Sequence, residues 1–569
     1  MPNPEPPSSN SLRDPQAPEF APLSLHATRR TFLKGGLAAA LVAPAVAARA
    51  LEAAPLVVPA TEESRKWGRG LEGQRLADRG DGTFLNPILS GDHPDPTILK
   101  DGADYYLTCS SFNSFPGIVI WHSRDLVNWR PVGPALRRNI GTVWALDLCK
   151  HGTRYYIYIP ALPPGKPWST YVIHSERIEG PWSDPIDLKV EGCIDPGHAV
   201  GEDGKRYLFF NGIRKIRLTD DGLATDGKLE PAYQPWHYPE DWVTENFAPE
   251  GPKLLRRGAW FYIITAVGGT AGPVTGHMVI AARSRSIHGP WEHCPHNPLV
   301  RTLSAAEPWW SRGHATVVEG PGGDWWMVYH GYENGFRTLG RQALLEPVEW
   351  TKDGWLRAKG GTLDKPLPKP RGGKPSKAGF ALSDDFSSGK LGLQWAFHAP
   401  GPDEAKRLRF EDKTLVIRGK GKALPDSSPL TCQAGDRSYE VTVELEISGE
   451  GHGGLALFYE ERGHVGLGFS TTQMLTYVYG QEHSWMRETL STTAATRRVH
   501  IRLTNRENVI TWHTSHDGGK TWKQHSWQME VSGLHHNVFG GFVSLRPALF
   551  SAGAGEVRAR NFVYRGLPT

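Results

Sequence analysis

Three carboxylate side chains are the first candidates for chemistry in this chain. They are Asp95, Asp195 and Glu250, and each stands next to a proline. Carboxylates that face one another repel, so at least one of them is expected to have a raised pKa. Two carboxyl groups on opposite sides of a sugar can break a glycosidic bond, because one protonates the leaving oxygen while the other activates water. The three acids therefore indicate acid–base chemistry, provided that the fold brings them together.

The elements that would position these acids are aromatic strands that recur roughly every 50 residues. Each strand follows a turn and is centred on one aromatic residue, and the five centres are Tyr106, Tyr156, Tyr207, Phe261 and Trp326. Short strands and Gly-rich turns at such a period are typical of propeller blades. Five copies between residues 84 and 358 predict an all-β fold with a five-bladed β-propeller, and a β-sandwich with coincidental aromatic hairpins is the alternative.

The repeat also predicts which side chains converge. The strand before each aromatic centre begins 11 or 12 residues upstream of it, and these starting positions are Asp95, Ala145, Asp195, Glu250 and His314. The first strand of every propeller blade lines the central channel. This register therefore places all three acids, together with His314, around one funnel.

Composition and charge exclude several classes of function. The chain has 569 residues with 64 Gly, 45 Pro and 10% aromatic residues, a mixture that favours short strands and turns over a helical bundle. A net charge of +4 argues against a nucleic-acid partner. The five cysteines are far apart and form no CxxC or Cys/His metal spacing, so we expect free thiols and no zinc site.

The N-terminus carries an export pattern. Arg29 and Arg30 precede an apolar run from Gly35 to Ala47, which resembles a twin-arginine signal over residues 1–50. The run is too short to span a bilayer, so we expect no membrane association after cleavage. The sequence thus predicts a periplasmic or secreted protein with a lead-in over residues 51–83.

Between Asn86 and Trp350 the chain resembles glycoside hydrolase family 43. The resemblance rests on the acid strings His93-Pro94-Asp95-Pro96, Ile194-Asp195-Pro196 and Pro249-Glu250-Gly251-Pro252-Lys253, and on the later string Arg312-Gly313-His314-Ala315-Thr316. Within that family, residues 110–117 and 266–270 are similar to the β-xylosidase and α-L-arabinofuranosidase branches.

The resemblance implies an exo-acting hydrolase that releases xylose or arabinose from hemicellulose oligosaccharides with inversion of the anomeric carbon. Asp95 would be the general base and Glu250 the general acid, while Asp195 would orient Glu250 and tune its pKa. An inverting pair needs carboxyl groups about 6.5–9.5 Å apart to admit water.

Further site residues follow from the same resemblance. Arg341 matches an arginine near the sugar pocket, which would keep Asp195 ionised and bind a sugar hydroxyl. His314 matches a histidine that contacts a calcium ion or an ordered water, and no other cofactor is implied. His277 resembles a subsite histidine, with a surface-turn histidine as the alternative. The chain departs from the family's Trp-Ala-Pro pattern at Leu146 and Asp147.

Aromatic residues near the acid strings are candidates for stacking on sugar faces. They are Phe112, Phe115 and Trp144, and packing between blades is the alternative for each of them.

The remaining chain reads as a linker and a second β-domain. Residues 359–379 are rich in Lys, Pro and Gly, which is linker composition. From 380 to 569 short alternating strands predict a β-sandwich similar to the concanavalin-like domain of β-xylosidases in that family. Residues 515–522 fit an Asp-box, which we interpret as a structural hairpin.

Three other functions remain open from sequence. One is an exo-β-galactosidase or another glycosidase on the same scaffold, the second is a non-catalytic carbohydrate-binding propeller, and the third is a retaining fructan-type enzyme. The sequence does not indicate an oligomeric state.

Overall fold

The computed structural model describes residues 67–374, 376–483, 486–490 and 496–568. The expected signal at 1–50 and the lead-in up to residue 66 lie outside the described residues. Among the described residues, no helix has the length and apolar character needed to cross a membrane.

Five antiparallel sheets follow one another along the chain, and each forms one propeller blade of four consecutive strands. The first strands of neighbouring blades contact one another, and the fifth contacts the first, so the ring is closed. The predicted five-bladed β-propeller is confirmed. The strands are Thr97–Asp101, Asp104–Thr108, Val119–Ser123 and Arg130–Pro134 in blade 1; Asp147–His151, Arg154–Leu162, Ser169–Ser175 and Ile186–Glu191 in blade 2; Gly197–Val200, Arg206–Phe210, Arg214–Arg217 and Glu230–Pro231 in blade 3; Glu250–Arg257, Trp260–Val267, Met278–Ser284 and Glu292–His293 in blade 4; and Trp309–Glu319, Trp325–Glu333, Arg341–Trp350 and Leu356–Ala358 in blade 5.

Hydrogen bonds from the segment before blade 1 tie it to blade 5. The Asn86 side-chain amide donates to the Leu345 carbonyl at 2.9 Å, and the Leu345 amide donates back to Asn86 Oδ1 at 2.8 Å. The short strands outside the four-stranded meanders are Gly68–Arg69 with Arg75–Leu76, Thr83–Phe84 with Leu367–Pro368, Thr142–Val143 on blade 2 and Val300–Arg301 on blade 4.

The C-terminal domain is a sandwich of two antiparallel sheets. Tyr439, Val441, Val443, Leu445 and Ile447 are all buried, which confirms the alternation expected for a half-buried strand. In spatial order, one sheet contains Gln481–Glu482, Gln473–Val478, Gly463–Phe469, His452–Glu460, Arg546–Ala552, Leu430–Cys432 and Trp395–His398, with Glu488–Thr489 beside Gln473–Val478; the other contains Leu408–Glu411, Thr414–Arg418, Gly555–Gly566, Ser438–Gly449, Thr496–Arg506, Val509–Ser515 and Lys523–Gln524, with Met529–Glu530 beside Val509–Ser515.

Helices are few and short in the described chain. One α-helix covers His536–Phe539, and 3₁₀ turns cover Leu71–Gly73, Asn211–Ile213, Arg337–Leu339, Glu404–Arg407 and Leu424–Asp426.

A loop of blade 1 joins the propeller to the sandwich. The strand Ser114–Phe115 pairs with Trp395–His398 and so becomes the edge of a sandwich sheet. Phe112, from the same loop, packs in the hydrophobic core of the sandwich. The two domains therefore share both a sheet and a core.

A buried ionic cluster at Glu333 also fixes the two domains to each other. Arg75 from the lead-in and Arg437 from the sandwich contact the Glu333 carboxylate at 2.8 and 2.6 Å. Burial alone would raise the pKa of Glu333, but the two guanidinium charges lower it to about 2.

Two smaller sequence predictions can be read from the fold. The Asp-box forms the turn between Val509–Ser515 and Lys523–Gln524, where Asp517 accepts hydrogen bonds from the Lys520 and Thr521 amides at 3.0 Å. All five cysteines are free, as expected: Cys109, Cys149, Cys193, Cys294 and Cys432.

Candidate active site

Three residues on the channel axis share an unusual backbone conformation. Asp95, Asp195 and His314 have φ values of +54°, +59° and +57°. They occupy equivalent positions in blades 1, 3 and 5. Asp95 and Asp195 come just before the first strand of their blade, and His314 lies within it. This left-handed conformation costs an L-residue of order 1 kcal/mol. The repeated strain points to a functional need to aim these side chains at the axis.

His314 lies between the three acids. Its Nδ1 is 3.7 Å from Asp95 Oδ1, and its Nε2 is 3.7 Å from Asp195 Oδ2 and 3.5 Å from Glu250 Oε1. Burial alone would lower the pKa of His314, but the three carboxylates raise it to about 9. A protonated imidazole therefore offsets part of the negative charge gathered on the axis.

Asp95 is held ionised by its partners. Arg341 approaches it with Nη1 at 2.8 Å from Oδ1 and Nη2 at 3.3 Å from Oδ2, while the Ser110 hydroxyl donates to Oδ2 at 2.6 Å. Burial would raise the pKa of Asp95, but Arg341 and His314 hold it well below its usual value. This carboxylate is therefore available to accept a proton.

Asp195 has the opposite electrostatic setting. Its burial, together with repulsion from Glu250 and Asp95, raises its pKa to about 7 despite the attraction of His314. The Gly251 amide donates to Asp195 Oδ2 at 3.1 Å, so the acid is tied to the residue that follows Glu250. The expectation that Arg341 holds Asp195 ionised is wrong, because Arg341 pairs with Asp95 instead.

Glu250 is the most accessible of the three acids. Its side chain is 20% exposed, compared with 5% for Asp95 and 3% for Asp195. Of the three acids, Glu250 is therefore the one that a molecule entering the channel can reach most readily.

The separation of Asp95 and Glu250 is limited by the histidine between them. Because the Asp95 oxygen lies 3.7 Å from one nitrogen of the His314 ring and the Glu250 oxygen lies 3.5 Å from the other, the two oxygens are no more than about 9.5 Å apart. This limit is compatible with the range of about 6.5–9.5 Å in which an inverting pair admits a water molecule.

Two further histidines stack near the axis. His277 and His330 have nearly parallel rings with centroids 5.3 Å apart. The Asp95 amide donates to His330 Nδ1 at 3.0 Å, which fixes the backbone of the proposed base. His277 is fully buried, its Nδ1 lies 3.8 Å from Glu250 Oε1, and neither of its nitrogens has a hydrogen-bond partner among the described residues. The alternative of a surface-turn histidine is wrong.

The side chains around His314 do not form a calcium shell. Glu250, His277 and His314 offer one carboxylate oxygen and two imidazole nitrogens, with the donor atoms within 4.8 Å of one another. Calcium takes six to eight oxygen ligands, whereas imidazoles suit transition metals. The donor set present therefore does not fit calcium, and no chemical step is assigned to it.

An aromatic wall stands over Arg341. Phe112 stacks on Phe542 at a centroid distance of 5.8 Å, and Trp144 meets Phe542 edge-on at 5.7 Å. The Arg341 guanidinium lies 4.9 Å from the Phe542 ring. Phe542 belongs to the sandwich, so the second domain supplies part of the site.

Only two of the three aromatic residues predicted to stack on sugars belong to this wall. Phe112 and Trp144 contribute to it, but Phe115 pairs with Phe397 at the domain seam and packs against the core shared by blades 1 and 2. No contact of Phe115 with the three acids is found among the described residues. Sequence reasoning missed Phe542 because no repeat or motif marks it.

A buried ion pair below the acids connects four blades. The Lys253 ammonium donates to Asp147 Oδ1 at 2.8 Å and to the carbonyls of Leu146 and Pro196 at 2.8 and 3.1 Å. Asp147 also accepts from the Thr97 hydroxyl at 3.0 Å and, through Oδ2, from the His198 amide at 2.8 Å.

This ion pair gives a structural role to Asp147, where the chain departs from the Trp-Ala-Pro pattern. Thr97, Pro196 and Lys253 stand within three residues of Asp95, Asp195 and Glu250, respectively. Asp147 is thus a structural centre of the channel, while Leu146 contributes its backbone carbonyl. The same period that aligned the acids could have found this layer, because Thr97 and Asp147 occupy equivalent positions.

Comparison with known proteins gives two family matches. The model described as glycosyl hydrolases family 43 matches residues 84–356. The model described as the beta xylosidase C-terminal concanavalin A-like domain matches residues 383–562. The two matched ranges correspond to the propeller and the sandwich.

Two relatives extend over both domains. A xylan 1,3-beta-xylosidase of Vibrio sp. is 31% identical over 436 residues, which cover 67% of this chain and 78% of the relative. A non-reducing end alpha-L-arabinofuranosidase of Bacteroides ovatus is 28% identical and covers 83% of this chain and 92% of the relative.

Solved structures agree with this grouping. The crystal structure of the GH43 protein BlXynB from Bacillus licheniformis is 26% identical, with a TM-score of 0.75, and the match covers 85% of this chain and 100% of that chain. A xylan beta-1,4-xylosidase from Bacillus halodurans is 25% identical with a TM-score of 0.74, and covers 84% of this chain and 99% of that chain.

Proposed function

Because the chain belongs to the glycosyl hydrolases of family 43 and is a glycosidase of the xylosidase/arabinofuranosidase type, we propose that it removes terminal xylose or arabinose from hemicellulose oligosaccharides. Relatives named for xylosidase and arabinofuranosidase activity support this choice of sugars. The observation that carries the proposal is the arrangement of Asp95, Asp195 and Glu250 around His314.

The reaction proceeds in one displacement with inversion. Asp95 takes a proton from water while the water oxygen attacks the anomeric carbon. Glu250 gives its proton to the glycosidic oxygen as the carbon–oxygen bond breaks. The products are a free sugar and a shortened alcohol, with the proton gained by Asp95 balancing the one lost by Glu250.

The electrostatic setting supports these two roles. The ion pair with Arg341 keeps Asp95 in the form that accepts a proton. Asp195 lies beside His314 and the Gly251 amide, where it fixes the strand that carries Glu250. Arg341 and the aromatic wall shape the pocket for one terminal sugar, because Phe542 covers the guanidinium from the sandwich side.

The assignment of Glu250 is tested with leaving groups of different acidity. In Glu250→Gln, kcat/KM on xylobiose should fall about 10²–10⁴-fold, because its leaving group needs a proton. A dinitrophenyl xyloside, whose leaving group needs none, should lose far less. Glu240→Gln is the matched control, since Glu240 is an exposed glutamate in the loop that precedes Glu250. Equal losses on both substrates would overturn the assignment.

The stereochemical course is tested separately. Proton NMR of the first sugar released from an aryl β-xyloside should show the α-anomer before mutarotation. Appearance of the β-anomer first would require a covalent intermediate and would contradict the proposed role of Asp95.

We also propose that residues 1–50 direct export through the twin-arginine route. These residues lie outside the described part of the chain, and the proposal rests on the Arg29-Arg30 pair and the apolar run that follows. The full-length protein should reach the periplasm of a host with an intact twin-arginine system. It should stay inside when Arg29 and Arg30 are both replaced by Lys.

A further inference from the structure

Arg337, four residues before Arg341, has no carboxylate partner in the described part of the chain. It begins the 3₁₀ turn Arg337–Leu339, which connects the second and third strands of blade 5. Its guanidinium lies 5.3 Å from the Trp310 ring and 5.2 Å from the Tyr332 ring. The two aromatic rings come from directly paired positions on neighbouring strands, so they form one surface beneath the guanidinium.

The hydrogen-bonding capacity of Arg337 is unused. Its Nη1 is buried and has no partner, and no ion pair joins Arg337 to a carboxylate of the described residues. Nearby arginines behave differently, because Arg341 pairs with Asp95 and Arg312 pairs with Glu307 at 3.1 Å. A partly desolvated guanidinium donor left unpaired in this way favours an anionic ligand.

The surroundings connect Arg337 to the wall of the active site. His536 stacks on Phe542 at a centroid distance of 3.6 Å, and Phe542 covers Arg341. Burial lowers the pKa of His535 and of His536 to about 4, with a further contribution from the charge of Arg337 at His535 and from those of Arg341 and Arg337 at His536. Both imidazoles are therefore neutral near pH 7 and do not compete with Arg337 for an anion.

Arg337 stands farther from the axis than Arg341. Trp310, which it contacts, lies four residues before His314 on the first strand of blade 5, and Trp310 and Arg337 are both only half-buried. Arg341 reaches Asp95 on the axis, whereas Arg337 lies against Trp310 and Tyr332 and near His536, which stacks on the Phe542 ring over Arg341. A group bound at Arg337 would therefore lie outside the axial pocket and next to its wall.

We propose that Arg337 binds a carboxylate carried by the leaving-group side of the substrate, such as a uronic acid branch on the sugar next to the scissile bond. The inference rests on the proposed function, because it needs an oligosaccharide in the axial pocket. The planar guanidinium donates two hydrogen bonds to the carboxylate, while Trp310 and Tyr332 support it from below. The preferred substrates are then acidic hemicellulose fragments.

The experiment compares two substrates that differ only in charge. One is a xylo-oligosaccharide with a uronic acid branch next to the terminal xylose, and the other is its methyl ester. We expect the parent enzyme to favour the acid over the ester at least tenfold in kcat/KM at low salt. Arg337→Gln should abolish this preference, and Arg337→Lys should retain part of it.

Arg285→Gln is the matched control. Arg285 also stacks on a tryptophan, with its guanidinium 4.2 Å from the Trp260 ring, but it lies on blade 4 away from the channel. This variant should keep the parent's preference for the acid. The proposal is overturned if the parent turns over acid and ester equally, or if Arg337→Gln keeps the preference.

The two proposals fail in different ways. If no aryl xyloside or arabinoside is cleaved by the parent enzyme, the proposed function fails. If those substrates are cleaved but charge has no effect, only the assignment of Arg337 fails.

Discussion

Lys253 Nζ donates to Asp147 Oδ1 at 2.8 Å, and this buried ion pair connects the strands that carry the three acids. The ammonium also binds the carbonyl of Pro196, which follows Asp195, while Asp147 binds the Thr97 hydroxyl two residues after Asp95. The spacing of the acids thus depends on a contact that touches none of them.

Lys253→Met should impair catalysis more than binding. Without the ammonium, the blade strands lose their common anchor, and misplacement of about 1 Å can cost on the order of 10²-fold in rate. We expect kcat on an aryl xyloside to fall by about that factor, with KM changed only a few-fold. Lys352→Met, on an exposed turn, is the control. If Lys253→Met destabilises the fold, the double variant with Asp147→Asn removes the unpaired charge, and full activity of that folded variant would contradict the positioning role.

Asp195→Asn should stabilise the protein most at high pH. The folded-state pKa of about 7 lies above the ordinary 3.8, because burial and neighbouring carboxylates oppose ionisation. The contribution of Asp195 to stability is therefore fully present below pH 3.8 and is lost as the pH rises through 7. The Tm of the variant relative to the parent should increase by roughly several degrees between pH 4.5 and pH 8.

The control for that experiment is Asp220→Asn, whose side chain is 83% exposed. Its Tm difference from the parent should stay constant over the same range. A Tm difference for Asp195→Asn that does not change with pH would show that Asp195 ionises as an ordinary carboxyl group.

Glu333→Gln should weaken the connection between the domains. Its effect on stability should depend on pH in the direction opposite to that of Asp195→Asn. The folded-state pKa of about 2 lies below the ordinary 4.5, because Arg75 and Arg437 outweigh the effect of burial. The stability that the Glu333 carboxylate supplies is present above pH 4.5 and is lost as the pH falls through 2. Thermal unfolding should show a deficit of a few degrees at pH 7 that shrinks progressively below pH 4.5, and a deficit as large at pH 3 as at pH 7 would exclude the ionic cause.

Phe542→Ala should open the pocket from the sandwich side. Removing the ring uncovers the Arg341 guanidinium and one face of Phe112, so water enters the pocket and kcat/KM should fall at least tenfold. Phe542→Leu, which keeps an apolar cover, should recover most of the loss. Val563→Ala, at a half-exposed position of the same domain, should have no effect, and parent-like kinetics in Phe542→Ala would remove this residue from the site.

Treatment with EDTA should leave turnover of an aryl xyloside unchanged. The positive charge beside the acids comes from His314 and Arg341, and the donor set at His314 lacks the oxygen ligands that calcium prefers. Activity is measured before and after chelation and again after calcium is added back. A loss that calcium restores would show that a metal ion takes part.

The sequence by itself determined the propeller and the convergence of the acids, because both follow from a repeat. Each blade is built from local hairpins, so a period near 50 residues fixes the fold and brings Asp95, Asp195 and Glu250 to equivalent positions. The five free cysteines followed equally from spacing alone.

Only the tertiary structure decided which groups surround each acid. Arg341 pairs with Asp95 and not with Asp195, because the third strand of blade 5 begins at Arg341 beside the entry to blade 1 when the ring closes. Phe542 reaches the pocket from a sandwich loop that no local pattern marks, and Arg337 is unpaired because no acid of the described residues packs against it. Periodicity specifies equivalent positions within the repeat, whereas contacts between blades and domains depend on packing that has no sequence period.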